Sequence, residues 1–399
     1  MREAFILPQG IYRVAADGRL RVVAGGGEGG FHGDGGPAIS AKIYYPSGVA
    51  VDSADNLFIA DRSNYRIRKV IKPKISADLV LSSGAMAQAG TTGIYQDAHP
   101  GYATVSVNSG AVPYGTAIFS LKQNGVTVSE AGIPASPPTT AARVFIDYRS
   151  GVNAIPSRGD AGVVGINTAI AVVNNGTTTA NVTYTLRNAS GNTITTGQGT
   201  IDAGKHYSCF IDQLKDVAAP DFNLSPSFQS SSQFGTLDIT SDRPLSIVSL
   251  RGTVNQREQF LITTVPSADL TQFPGISPRY FAQFVDGDGY TTSLILMNTS
   301  AATETGTLQI MDNNGDALFV KDDWGRSGFS FRYSIPPNGF YRLQTDGLTA
   351  AGSSGGSLIL IPQGHDAKFV DQLITGLPAA FLQAAGIISL TGRSRRSGY

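Results

Sequence analysis

Four histidines, one cysteine and two pairs of neighbouring aspartates are the residues of this chain with chemistry to offer, and their spacing decides how much. His32, His99, His206 and His365 form no HxH or HxxxH pair. His206 (GKHYSCF) and His365 (GHDAKF) fall at nearly the same place in a repeated unit, so a repeated scaffold explains them better than a metal site does. Cys209 is the only cysteine, which excludes an internal disulfide and a cysteine-built zinc site; no general base accompanies it, and it reads as a strand filler. Asp286 and Asp288 (VDGDGY) and Asp322-Asp323 are paired carboxylates. The first pair has the outline of a calcium turn but lacks the further acidic ligand of an EF-type loop, so calcium binding and a plain β-turn are the two readings. With no GxSxG, no SxxK and no Ser/His/Asp order, nucleophilic catalysis has no support; neither enzymatic activity nor a cofactor is expected. The remaining candidates are aromatic. Trp324 clusters with Phe329, Phe331 and Tyr333, where ring faces could stack on a sugar or peptide, or alternate along a strand into a core. The candidate binding residues are therefore Trp324, Phe329, Tyr333, Asp286 and Asp288.

The elements that must position these residues are repeated. Gly165 to Asn192 recurs as Gly289 to Asp316 without a gap: Gly165 matches Gly289, Thr168 matches Thr292, Asn174 matches Asn298 and Gly191 matches Gly315. Ala169 to Asn174 and Ser293 to Asn298 are short apolar runs, as expected of strands buried on both faces. A Thr-rich turn follows each run, then an alternating strand (Val182, Tyr184, Leu186; Leu308, Ile310), then a Gly-containing tight turn. After an insertion at about 321–330, Ile335, Tyr341 and Asp346 match Ile201, Tyr207 and Asp212. Phe234 to Pro266 completes the first module, with strands at Gly235 to Thr240, Leu245 to Leu250 and Gln259 to Pro266 and a turn at Ser241 to Pro244. Tyr102 to Pro134 carries the same layout, with strands at Tyr102 to Val107, Gly115 to Gln123 and Val126 to Ala131. Ala367 to Leu373 (AKFVDQL) repeats Ser208 to Leu214 (SCFIDQL), each Asp expected to cap a short helix. Both ends of the chain cut through a repeat, so a fragment or a rearranged member of a larger array is expected.

Composition sets the class. In 399 residues, hydrophobic side chains make up 41% and charged ones 15%, so cores are affordable while the surface is coated by Ser, Thr, Asn and Gly. The 47 glycines and 20 prolines suit many turns between short strands. Thirty basic and thirty acidic groups cancel, which gives no electrostatic footprint for nucleic acid or an anionic membrane. No run of about 18 apolar residues is present for a membrane span. Met1 to Gly10 lacks the apolar core of a signal peptide, although the low charge and Thr/Asn-rich strands suit an exported protein.

Residues 10–70 hold the most specific motif: short strands Ile11 to Val14 and Leu20 to Val23 around Asp17-Gly18, a glycine-rich loop with GDGGPA from Gly33, then PSGVAVD from Pro46, a strand ending Ile59-Ala60-Asp61, and Asn64 ahead of Arg66-Ile67-Arg68-Lys69-Val70. The loop lacks the Lys and Ser/Thr of a phosphate-binding loop. This stretch resembles the NHL repeat, which implies a four-stranded β-propeller blade in which Asp52, Asp55 and Asp61 cap turns and Asn64 bonds back to turn backbone. One blade cannot close a propeller of four to eight. The later modules resemble the β-sandwich repeats, immunoglobulin-like in kind, of large exported proteins of soil bacteria.

The expected architecture is thus all-β: a partial NHL propeller segment (1–70), a linker (71–100), a partial sandwich module (101–160), two sandwich modules (161–270 and 278–365) and a truncated module end with a basic tail (366–399). The expected function is a non-catalytic extracellular or cell-envelope scaffold binding protein or polysaccharide, with self-association through open strand edges. The alternatives are the accessory tail of a longer propeller enzyme, hydrolase or lyase, and a truncated product without a function of its own.

Overall fold

The computed structural model describes residues 4–14, 19–36, 38–52, 56–71, 80–91, 100–123, 125–155, 158–218, 222–224, 228, 234–272, 275, 277–287, 290–347 and 354–362. The architecture is all-β, with helical structure limited to short turns among the described residues, and the chain divides into two units, 1–94 and 95–399.

The N-terminal unit holds two three-stranded antiparallel sheets: β1 (Ala4–Leu7), β2 (Gly10–Val14) and β3 (Leu20–Gly25), then β4 (Gly48–Val51), β5 (Leu57–Asp61) and β6 (Arg66–Val70). Ile11 and Ala24 of the first sheet pack with Leu57 and Ile59 of the second and with Ile43 between them. The fourth strand implied by a propeller blade would follow Val70, where residues 72–79 lie outside the described residues.

The second unit opens with a hairpin, β7 (Thr116–Gln123) and β8 (Val126–Pro134). The strand expected at Tyr102 to Val107 does not form; that stretch is exposed and irregular. Then come β9 (Thr139–Asp147), β10 (Arg149–Ile155), β11 (Arg158–Val173), β12 (Ala180–Arg187), β13 (Thr193–Ile201), β14 (His206–Phe210), β15 (Phe234–Val254), β16 (Phe260–Val265) and β17 (Ala268–Asp269). They make a two-sheet sandwich. One sheet runs β17-β9-β15-β12-β13. In the other, β11 carries β10 and β14 on one edge and the second half of β15 on the other, followed by β16. Ser241 to Pro244, expected as a turn between two strands, is the bend at which one long strand leaves the first sheet and enters the second, a corner typical of packed sheets. Period-2 alternation places Val144, Ile170, Tyr184, Leu186, Leu237 and Ile247 in the shared core.

The second module repeats this plan with β18 (Arg279–Asp286), β19 (Ser293–Met297), β20 (Glu304–Asp312), the small hairpin β21 (Val320–Lys321) and β22 (Ser327–Gly328), β23 (Ser330–Ile335), β24 (Phe340–Gln344) and β25 (Ser354–Pro362). Sheet β18-β25-β20-β23 faces sheet β19-β24 across Phe284, Leu294, Leu308, Ile310, Phe331 and Leu343. The duplication is visible atom by atom. Asn174 Nδ2 donates to the carbonyls of Thr178 and Ile201, both at 2.8 Å, while its Oδ1 accepts from Gly176 N at 2.9 Å. Asn298 makes the same bonds to Ala302 (2.7 Å), Ile335 (2.9 Å) and Ser300 N (2.8 Å). Both asparagines are fully buried, and the Ile201–Ile335 equivalence survives the insertion.

Between the modules a third apolar layer forms, because residues that point away from each core meet one another. Phe145 and Phe234 of the first module and Ile295, Met297 and Phe340 of the second pack together, with Phe145 edge-on to Phe340 at 5.3 Å. Arg143 is buried there: it donates to both oxygens of Asp238 (2.5 and 2.9 Å), to the carbonyl of Asn298 (2.5 Å) and to Asn338 Oδ1 (3.0 Å). The tip of the β12–β13 hairpin closes the contact, Phe340 N donating to the Ala189 carbonyl at 3.1 Å. A Cβ on Gly191 would lie 2.0 Å from the Pro337 carbonyl, so only glycine fits. The expected third module end, 366–399, lies outside the described residues.

Candidate binding surfaces

The insertion that carries Trp324 is built around one carboxylate. Asp322 is 1% exposed; its Oδ1 accepts from the backbone N–H of Trp324 (3.1 Å) and Arg326 (2.8 Å), and its Oδ2 accepts from Arg326 Nε (2.7 Å). Asp323 accepts from Arg342 at 3.0 Å, so the paired carboxylates fold the turn. The turn lifts Trp324 out to 65% exposure, with the Arg326 guanidinium 4.8 Å from its ring centroid. Phe329 is 42% exposed and stands 6.3 Å from the exposed Phe319, flanking the β21–β22 hairpin. Phe331 and Tyr333 alternate inward along β23 into the core. The aromatic cluster thus divides: Trp324 and Phe329 face solvent, while Tyr333 packs inside. Phe319, which sequence reasoning missed, joins the exposed set because register across the hairpin sets it opposite Phe329.

Asp286 is fully buried and its Oδ1 accepts from Gly347 N at 3.1 Å, capping backbone 61 residues away. Gly287 and Tyr290 exchange backbone hydrogen bonds across a tight turn, and Asp288 lies outside the described residues. Among the described residues no group of three or more His, Cys, Asp or Glu side chains could hold a metal ion, and no helix is long and apolar enough to cross a membrane.

Burial first, then Asp216 and Asp212, push the Cys209 thiol up to about 12, which leaves it protonated and unreactive. Beside it Tyr184 and Tyr207 share a hydroxyl–hydroxyl hydrogen bond, and burial raises both phenols. His206 is half-buried, and burial lowers its pKa; His99 and His365 lie outside the described residues. A polar hollow of about 290 Å³ opens beside the 3-10 turn Ile211–Asp216, lined among others by Tyr148, Asp212, Lys215 and Asn223. Burial and then Asp212 raise the Tyr148 phenol, and Asn167 Nδ2 donates to Asp212 at 2.9 Å. Asp212 does not cap that turn: Gln213 does, its Oε1 accepting from Phe210 N at 3.0 Å, so the turn begins two residues early.

In the N-terminal unit the fully buried Asp61 accepts from Tyr44 N (2.8 Å) and Asn64 Nδ2 (2.8 Å), and Asn64 also donates to the Gly30 carbonyl (2.8 Å). Asp52 accepts twice from Asn56. Arg68 ties the glycine loop down through Asp34 (2.6 Å) and the carbonyls of Lys42 (2.6 Å) and His32 (3.1 Å). Every one of these bonds closes a loop onto the sheet. In the comparison with protein families, residues 44–70 match the NHL repeat.

This segment is an NHL repeat. It spans β4, β5 and β6, and its aspartates and asparagine serve the turns. The solvent-facing feature beside the NHL repeat is Phe31, 45% exposed on the glycine loop under the guanidinium groups of Arg66 (4.0 Å) and Arg68 (5.4 Å). No curated protein matches the chain. Among solved structures, the crystal structure of Thermotoga maritima 1070 aligns over 32% of this chain and 91% of its own at 15% identity, with a TM-score of 0.21, a likeness that carries no argument about the fold.

Proposed function

We propose that this chain is a non-catalytic scaffold of the extracellular space or cell envelope, and that its Trp324 turn contacts a polysaccharide. The observation that carries the reading is the presentation of the sole tryptophan. Asp322 fixes the turn from beneath, so the ring is exposed without the entropy cost of ordering a free loop. An aromatic face with a guanidinium at its side suits a sugar ring, which offers C–H groups to the face and hydroxyls to the rim. The low surface charge and Thr/Asn-rich strands support an exported setting. Affinity electrophoresis in gels containing soluble polysaccharides tests this. Retardation by at least one of them, lost in Trp324→Ala, is expected; equal migration of wild type with and without every polysaccharide would overturn it.

A second reading, an accessory role beside a catalytic propeller in a longer protein, is favoured by the NHL repeat and by the apolar surface around it. Leu20 is 53% exposed and Ile67 71% exposed, and among the described residues β1, β3, β4 and β6 are sheet edges that further strands could extend, whether from this chain, a second copy or more blades. Stoichiometric metal in the protein isolated from its source cells would favour this reading over the first.

A further inference from the structure

The contact between the two sandwich modules uses two faces, and each face exists twice in the chain. In that contact the outward side of β9 and β15 (Arg143, Phe145, Asp238) meets the outward side of β19 and β24 (Ile295, Met297, Phe340). The counterpart of the first face is the outward side of β18 and β20, where register sets Tyr280 in the place of Arg143 and the offset of 124 sets Met311 in the place of Arg187. The counterpart of the second is the outward side of β11, β14 and β15. Ala169 and Ala171 correspond there to Ser293 and Ile295, and His206 to Phe340.

That last face is unlike the solvated side of an ordinary antiparallel sandwich, which alternates to polar residues. Ala169, Ala171, Val248, Leu250, Phe210 and Phe260 are half-buried on it and, among the described residues, belong to no core cluster. The rings of Phe210 and Phe260 meet over Gly252. At its rim the ring of Tyr102 lies 6.1 Å from His206, in the relation that Phe145 holds to Phe340 in the observed contact. The run Ala169 to Val173 is apolar at every position, as is Leu294 to Met297; Ile295, on the outward side of the second run, is 3% exposed because a module covers it.

We infer that a second copy of this chain stacks on this face, its β18–β20 side against the β11–β15 side of the first, so that the contact seen once within the chain is repeated between chains. The two faces differ, so the arrangement is head to tail and each added copy presents a further free face unless the stack closes into a ring. It uses sheet faces in the second unit, and is therefore distinct from pairing through strand edges of the N-terminal unit and from polysaccharide contact at Trp324.

Sedimentation of the full chain with Val248→Glu on one face and Tyr280→Glu on the other tests it. Wild type is expected to give a mass that rises with concentration beyond the 41.8 kDa protomer, and each variant alone to stay at the protomer mass. An equimolar mixture of the two variants retains one intact pair of faces and is expected to give dimers and nothing larger. That result also separates lost docking from lost folding, since misfolded variants would not form dimers. A wild type that remains a protomer at every concentration, or variants that associate as wild type does, would overturn the proposal.

Discussion

Asn174 and Asn298 show what the duplication conserves physically. Each fills a place where strand-end carbonyls and a turn N–H are buried together, and one amide side chain offers both donors and an acceptor. Replacing either by alanine leaves those groups without partners. Asn174→Ala and Asn298→Ala are each expected to lower stability by about 1–3 kcal/mol, by similar amounts, in urea unfolding. A charge argument applies to Asp147. Burial works to raise its pKa, and Arg149 and Arg251, at 2.5 and 3.0 Å, outweigh burial and hold it below the usual carboxylate value. Because the folded value lies below the unfolded one, its stabilisation is fully present above about pH 4 and is lost as pH falls through the folded pKa. In urea midpoints measured against pH, wild type should fall more steeply on the acid side than Asp147→Asn, which starts lower at neutral pH.

At the scale of elements, the sequence and the fold agree wherever the signal is local. The alternation of Val182, Tyr184 and Leu186, the Asn174–Asn298 equivalence and the turn role of Asp61 could all be read from residues close together in the chain. The bend at Ser241 to Pro244 could not, because Ser-Asp-Arg-Pro ends a strand and bends one with the same residues; which of these occurs depends on β11 and β12, both far upstream. Tyr102 to Val107 has strand-like residues but no described strand beside it. The apolar runs at 169–173 and 293–297 announced strands buried on both faces, and β19 is one: Leu294 faces its own core and Ile295 the neighbouring module. Of the candidate site, the exposure of Trp324 follows from an insertion lying outside the repeat. The inward turn of Tyr333 follows from β-strand parity, which the bare cluster of aromatic residues conceals.

At the scale of the whole second unit, the two modules are joined through the buried Arg143, which is ion-paired with Asp238 in its own module and donates to Asn298 and Asn338 of the other; no local pattern reveals this, since those partners lie 95, 155 and 195 positions away. Removing one member of such a pair strands the other. Arg143→Ala is expected to cost about 3–5 kcal/mol and to split thermal unfolding of the modules into two calorimetric transitions. Arg187→Ala, which removes the more exposed partner of the same Asp238, should cost less and keep one transition. A rigid tandem of this kind holds its surface features in fixed relation, which suits presentation to an extended ligand.

Trp324 is the only tryptophan, so fluorescence of the intact chain excited at the red edge of the band, where its fifteen tyrosines do not absorb, reports on the proposed contact alone. Titration with soluble polysaccharides is expected to shift its emission to shorter wavelength and saturate with at least one of them, as stacking removes water from the exposed ring. Emission unchanged by every polysaccharide, or affinity retained by Trp324→Ala in a fluorescence-independent assay, would contradict the account.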